Sequence, residues 1–205
     1  LRDVHGLGGE EARALARLAR GSVERAARFA DDARGPRLRD QYLRQVAALT
    51  GGDGDGRRPA AAFLGVLDTR FKAIGGEVEA ALERRVAELE AQIADERDRE
   101  WHRKQAEAFA KRDGKRRARQ ATVDALDLVV AWVRDLWAVA CGASEAVLNS
   151  DRAAELEAAA VACPEHYEGL LAAAGAARKD LYLNVEQKLA LQAMFARFEE
   201  VARSA

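Results

Sequence analysis

The sequence predicts an all-α fold, and three observations carry that prediction. Ala, Leu, Glu and Arg dominate the 205 residues, and these side chains lose little rotamer freedom in a helix. Apolar residues recur along most of the chain at the three-and-four spacing of one helical face. No stretch alternates apolar and polar residues as a half-buried strand does, and no hairpin turn joins two apolar runs. With 49% apolar residues, the chain can build one large or two small domains with cores of their own.

Charge and cysteine content narrow the function classes. A net charge of −1 excludes a global basic field, so any nucleic-acid surface has to be local. No apolar run approaches the ~18 residues of a membrane span, and no signal peptide is present, which predicts a cytoplasmic protein without membrane partners. Cys141 and Cys163 match no metal spacing and read as buried free thiols in a reducing compartment. The chain starts at Leu1 without Met, the expectation for a piece of something longer.

The first stretch, Leu1 to Leu49, reads as three short helices. Glu10 and Glu11 open the first, where negative charge suits the helix dipole, and Ala12, Leu15, Ala16 and Ala19 form its apolar face. Gly21-Ser22 ends it and caps the second, which carries Val23, Ala26, Ala27 and Ala30. Pro36 precedes a third helix with Leu38, Tyr42, Leu43 and Val46 on one side. Residues 50–59, TGGDGDGRRP, have the composition of a flexible linker. Residues 60–205 follow as a second domain.

That second domain begins with a short helix, Ala60 to Ala73, bearing Phe63, Leu64, Leu67 and Phe71 and ended by Gly75-Gly76. Glu77 to Phe109 is a long charged helix with a single seam of Leu82, Val86, Leu89 and Ile93, expected to stand in solvent. Lys111, Arg112, Lys115, Arg116, Arg117 and Arg119 then form a basic run interrupted at Asp113-Gly114. Within it Lys115, Arg116 and Arg117 are candidate phosphate contacts, although no aromatic residues interleave them. Ala121 to Ala140 is the most apolar helix, its core face set by Leu126, Val129, Val130, Val133, Leu136, Trp137 and Ala140. Asp124, Asp127, Arg134 and Asp135 fall away from that face. Ser150 caps a helix reaching Ala162, and Pro164-Glu165 open another reaching Arg178, with Tyr167, Leu170 and Leu171 inward. Asn184 is the expected N-cap of the last helix, starting at Val185, with Gln187 completing a capping box. Leu191, Met194, Phe195, Phe198, Val201 and Ala202 make its buried stripe.

Several stretches resemble one family in one order. Asn184-Val185, then Lys188-Leu189-Ala190-Leu191-Gln192-Ala193, resembles the closing helix of the collar domain in the delta-prime family of bacterial clamp-loader subunits of DNA polymerase III. Trp132-Val133-Arg134-Asp135 resembles that collar's aromatic-x-Arg-Asp motif, and Asn149-Ser150-Asp151 its Asn-x-Asp. Glu10 to Ser22 followed by Arg25-Ala26 resembles the lid of an AAA+ module. In active lids an arginine reaches the nucleotide phosphates, but position 24 here is Glu; Gly21, Glu24 and Arg25 match instead the form associated with delta-prime lids, which do not hydrolyse ATP.

The resemblance implies a three-helix AAA+ lid (1–49), a linker (50–59) and a collar-like oligomerisation domain (60–205) in a hetero-oligomer. It implies as partners the delta and tau/gamma subunits and, indirectly, the sliding clamp and primer-template DNA. Subunit-interface candidates are Trp132, Arg134, Asp135, Asn184, Leu189 and Leu191. No cofactor and no catalysis are expected of this piece; polymerase activity would belong to the holoenzyme by association. The lid and collar of tau/gamma, a free-standing helical adaptor using the charged arm, and a nucleic-acid-binding helical bundle using Lys111 through Arg119 are the alternatives. No catalytic constellation stands against this: His5, His102 and His166 lack ligand-spaced partners, and neither a phosphate loop nor a nucleophile elbow is present.

Overall fold

The computed structural model describes residues 6–30, 37–50, 57–161 and 164–204. Among the described residues there is no strand, and the chain is all-α. In order, the helices are α1 (Gly9–Leu18), α2 (Val23–Ala30), α3 (Leu38–Thr50), α4 (Arg57–Gln92), α5 (Glu96–Ala140), α6 (Ala153–Ala159), α7 (Pro164–Tyr182) and α8 (Gln187–Ser204). Single 3-10 turns at Ser144–Ala146 and Ser150–Arg152 lie between α5 and α6. The chain divides into two compact units, Leu1–Val66 with Asp124–Ala205, and Leu67–Val123. The first three helices therefore share a unit with the C-terminal helices. Arg57, Arg58 and Pro59 of the expected linker already belong to α4, and residues 51–56 lie outside the described residues.

Two expected helix breaks do not occur. α4 runs through Gly75-Gly76 for 36 residues, and α5 runs through Asp113-Gly114 for 45 residues. A glycine inside a helix costs about 1 kcal/mol relative to Ala, and the long flanking runs of Ala, Glu, Arg and Lys outweigh it. The break falls instead at 93–95, inside what reads as one charged helix. Asp95 sets it: its Oδ1 accepts from the amides of Arg97 (2.9 Å) and Asp98 (3.1 Å), satisfying two orphan donors of the new helix.

The first unit has a dense core. Trp132 of α5 is fully buried and its Nε1 donates to the Thr50 hydroxyl of α3 at 3.1 Å; that hydroxyl in turn donates to the Val46 carbonyl at 3.0 Å. Tyr42 of α3 packs at a tilt against Phe63 of α4 (4.8 Å between centroids), Phe63 meets Phe195 of α8 edge-on (5.1 Å), and Phe195 meets Phe198. Such pairs add about 0.5–1.5 kcal/mol each to their area burial. On α5 the buried set is Leu126, Leu128, Val129, Trp132, Val133 and Leu136, whereas Trp137 is only half-buried. The expected core face thus held the wrong tryptophan, because within this unit the helix is buried on more than one side.

α7 and α8 pack closely where Gly169 leaves room: a Cβ there would lie 2.9 Å from a Val201 methyl. Between them Asn184 is not the N-cap. It adopts a left-handed conformation (φ 63°) two residues past the end of α7. The Asn184 amide donates to the Leu181 carbonyl (3.2 Å) and the Val185 amide to that of Asp180 (3.0 Å), the Schellman pattern. Asparagine tolerates both positions, and here it closes a helix that extends to Tyr182. The capping role passes to Glu186, whose Oε2 accepts from the Leu189 amide at 2.7 Å. Ser150, likewise, sits in a 3-10 turn, and α6 is confined to Ala153–Ala159. Cys141 is exposed rather than buried, just past the end of α5, and Cys163 lies outside the described residues.

The second unit is two antiparallel helix segments joined at 93–95. Glu77 on α4 pairs with Arg117 on α5, and Val78 lies opposite Gly114, where an added Cβ would be 3.9 Å from its methyls. Its buried apolar side chains are Leu67, Ala73, Ile74 and Leu89. Leu82, Val86 and Ile93 are half-buried, so the expected seam exists but is thin.

Candidate functional site

A charged side chain buried in α3 organises the polar interior of the first unit. Arg39 is 1% exposed, on the same face as Tyr42, Leu43 and Val46. Its guanidinium grips Asp151 with two bonds (2.6 and 2.8 Å) and donates to Asn149 Oδ1 at 2.7 Å. Asn149, wholly buried, donates its side-chain amide to Asp135 Oδ2 at 2.7 Å and its backbone amide to the same oxygen at 2.8 Å. Asp135 Oδ1 accepts from the Leu148 amide (2.9 Å) and from Arg134 Nη1 (3.0 Å), and Arg134 also reaches the Ala146 carbonyl. Arg17 of α1 holds the Val147 carbonyl at 3.2 Å, and Arg152 bridges Asp40 and Glu155. Asp135 on α5 and Arg39 on α3 thereby hold Leu148, Asn149 and Asp151, and Arg134, Arg17 and Arg152 hold the residues on either side. The bidentate geometry and the third bond to Asn149 offset part of the cost of burying this charge, while Arg39 Nε has no partner among the described residues.

This network reassigns several candidates. Asp135, Trp132 and Leu191 are each 0% exposed; they cannot meet a partner directly, and their role is internal. Asp124 and Asp135 do not fall on a free polar side of α5, because arginines and amides of other elements come to meet them. Arg134 keeps an exposed portion, and Asn184 and Leu189 are exposed. Around Asn184 the α7–α8 turn displays Tyr182 at 80%, Leu183 at 61% and Leu189 at 56% exposure. These large side chains are unused by the fold, and they sit on a turn whose backbone is held by the Schellman bonds. Tyr182 and Leu183 were not among the residues that periodicity singled out; they follow the last inward residue of α7 and carry no pattern of their own.

The lid-like stretch forms a second charged cluster. Arg20 (φ 50°) and Gly21 (φ 84°) are both left-handed and turn the chain from α1 into α2; Ser22 Oγ then accepts from the Arg25 amide at 3.2 Å. Glu24 is exposed and pairs with Arg28 one turn on. Arg25 is bound to Asp127 and lies 3.4 Å from Asp124, with its guanidinium 5.3 Å above the Phe29 ring. Arg28 joins Asp124 at 2.8 Å and Arg178 of α7 joins Asp127. Burial lowers the Arg25 guanidinium from its ordinary value, Asp124 opposes this, and neighbouring Arg28 adds to it. Arg25 is committed to two carboxylates. The space beside it amounts to about 10 Å³, room for one water.

The basic run lies on α5 within the second unit. Arg116 pairs with Asp113 (2.6 Å) and Arg117 with Glu77, so two of the three candidate phosphate contacts are engaged, while Lys115 is exposed. A mostly apolar groove of this unit, about 370 Å³, is lined by Val78, Leu82, Leu89, Ala106, Phe109 and His102. Among the described residues no group of His, Cys, Asp or Glu could hold a metal ion, and no helix is long and apolar enough to cross a membrane. Comparison with protein-family models, with curated proteins and with solved structures gives no match for this chain.

Proposed function

We propose that the chain is the lid and collar of a clamp-loader subunit of the delta-prime type, and that it acts in subunit assembly without catalysis. The observation that carries this reading is the convergence of the resembling motifs. Arg134-Asp135 and Asn149-Ser150-Asp151 are separated in sequence, yet their polar side chains meet in one buried network closed by Arg39. Residues that recur together as words serve here as one device, which rigidifies the unit that would pack against neighbours. The commitment of Arg25 to Asp124 and Asp127 agrees with a lid that does not work on nucleotide. Contact with the other subunits is assigned to the α7–α8 turn, where Tyr182, Leu183 and Leu189 supply aromatic and aliphatic anchors.

The test is the mass in solution of this chain alone and mixed with the collar domains of the delta and tau/gamma subunits of the same organism. A discrete mixed complex is expected. A monomer that ignores both partners at every concentration while melting cooperatively overturns the reading.

A further inference from the structure

One face of α5 in the second unit carries cations and an exposed indole that the fold does not use. With 3.6 residues per turn, Trp101, Lys104, Ala108, Lys111, Arg112 and Lys115 fall within one sector of the helix, about 100° wide and about 21 Å long. Lys111, Arg112 and Lys115 are exposed, and among the described residues no carboxylate pairs with them. The acids of the same stretch are occupied elsewhere: Asp113 by Arg116 at 2.6 Å, Glu107 by Arg103 at 3.9 Å, and Glu100 by Arg103 and Lys104 at 2.6 and 3.3 Å. Trp101 is 59% exposed, held on one side by the edge-on ring of His102 at 4.7 Å. An indole left in water forgoes the burial that a side chain of its size ordinarily gains.

We propose that this face binds single-stranded nucleic acid, with backbone phosphates on Lys111, Arg112 and Lys115 and an unpaired base stacked on Trp101. Charge complementarity selects a polyanion, since the face is cationic on a chain whose net charge is −1. The aromatic on the same face selects unpaired bases, because a duplex offers no free base plane to a side chain lying along its backbone. Sequence preference is not expected, as neither phosphates nor a stacked base report identity. This goes beyond the assembly reading and does not depend on it, because that reading rests on residues of the other compact unit.

The test measures binding of the full 205-residue chain to a labelled oligothymidylate and to a duplex of equal length across a salt series. The single strand should bind more tightly than the duplex. Its affinity should fall with a log–log salt slope of about −2, as three neutralised phosphates on a single strand give. Lys111→Glu with Arg112→Glu and Lys115→Glu should weaken it about tenfold or more, and Lys111→Gln with Lys115→Gln, milder to the helix, should weaken it less. Trp101→Ala should cost about tenfold on the single strand and nothing on the duplex, with Trp101→Phe retaining most of the binding. Absence of binding at 50 mM salt, equal affinity for duplex, or indifference to these substitutions overturns the proposal. So does tighter binding of polyglutamate or of phosphatidylglycerol vesicles, which would assign the face to an acidic protein or a membrane surface.

Discussion

The same helix behaves in two ways along its length. Residues 124–140 of α5, in the first unit, bury Leu126, Trp132, Leu136 and even Asp135, and almost every polar atom there has a named partner. Residues 96–121, in the second unit, bury no side chain fully and carry their charges as pairs one turn apart, such as Arg103 with Glu100 and Arg116 with Asp113. The difference separates two sources of helical stability. One segment is fixed by burial and by a polar network that has a single solution; the other draws on propensity, local ion pairs and a thin apolar seam. The two proposals divide along the same line: the assembly role is assigned to the unit of the buried segment, and the nucleic-acid face to the solvated one.

Substitutions in the buried segment should have the largest effects. Asp135→Ala removes the acceptor of Leu148 N, Asn149 N and Asn149 Nδ2, and should cost about 3–5 kcal/mol in urea unfolding, with Asp135→Asn losing less because one acceptor remains. Trp132→Ala opens a cavity and removes the donor to the Thr50 hydroxyl, for about 3–5 kcal/mol. In the second unit the sign reverses. Gly75→Ala and Gly76→Ala add a Cβ that meets nothing within 4 Å, and each should stabilise its helix by about 1 kcal/mol, read as slower amide exchange around residue 75. A loss of stability there would mean that the glycines serve a bend the helix uses.

A pH effect distinguishes the units as well. His166 is buried in α7 against Tyr167, and burial holds its imidazole below the ordinary value of 6.5, favouring the neutral form. Its contribution is therefore complete above pH 6.5 and declines as pH falls toward the folded-state value. Unfolding midpoints of the first unit should drop between pH 7 and 5, and His166→Phe should flatten that dependence. At the small end, Arg85→Ala breaks an exposed pair with Glu88 and should leave the melt unchanged within error.

The helices were legible in the sequence because composition and period agree over long stretches. Their ends were less so. Asn184 suits an N-cap and a left-handed C-terminal residue equally, and only the bonds from Asn184 and Val185 back to α7 decide between them. Gly75-Gly76 and Gly114 carry the local mark of a stop, which a helix of 36 or 45 residues overrides. The polar interior was half-legible. Asp135 and Asn149 stand in recognisable words, but a helical wheel places charged residues outward and gives no hint that Arg39 will cross to Asp151. The one available signal was position: Arg39, Tyr42, Leu43 and Val46 share a stripe in which Arg39 is the odd member. Arg178, which completes the cluster at Asp127, comes from 51 residues away and leaves no local trace.

The central claim is that the buried network holds the unit while the α7–α8 turn meets the neighbours. Light scattering of the chain with the delta and tau/gamma collars, comparing the native sequence with Leu189→Glu and Tyr182→Ala, tests it most directly. The account predicts a mixed complex for the native chain that both exposed-site variants lose while their unfolding midpoints stay in place. A complex indifferent to both substitutions, or none with the native chain, would contradict it.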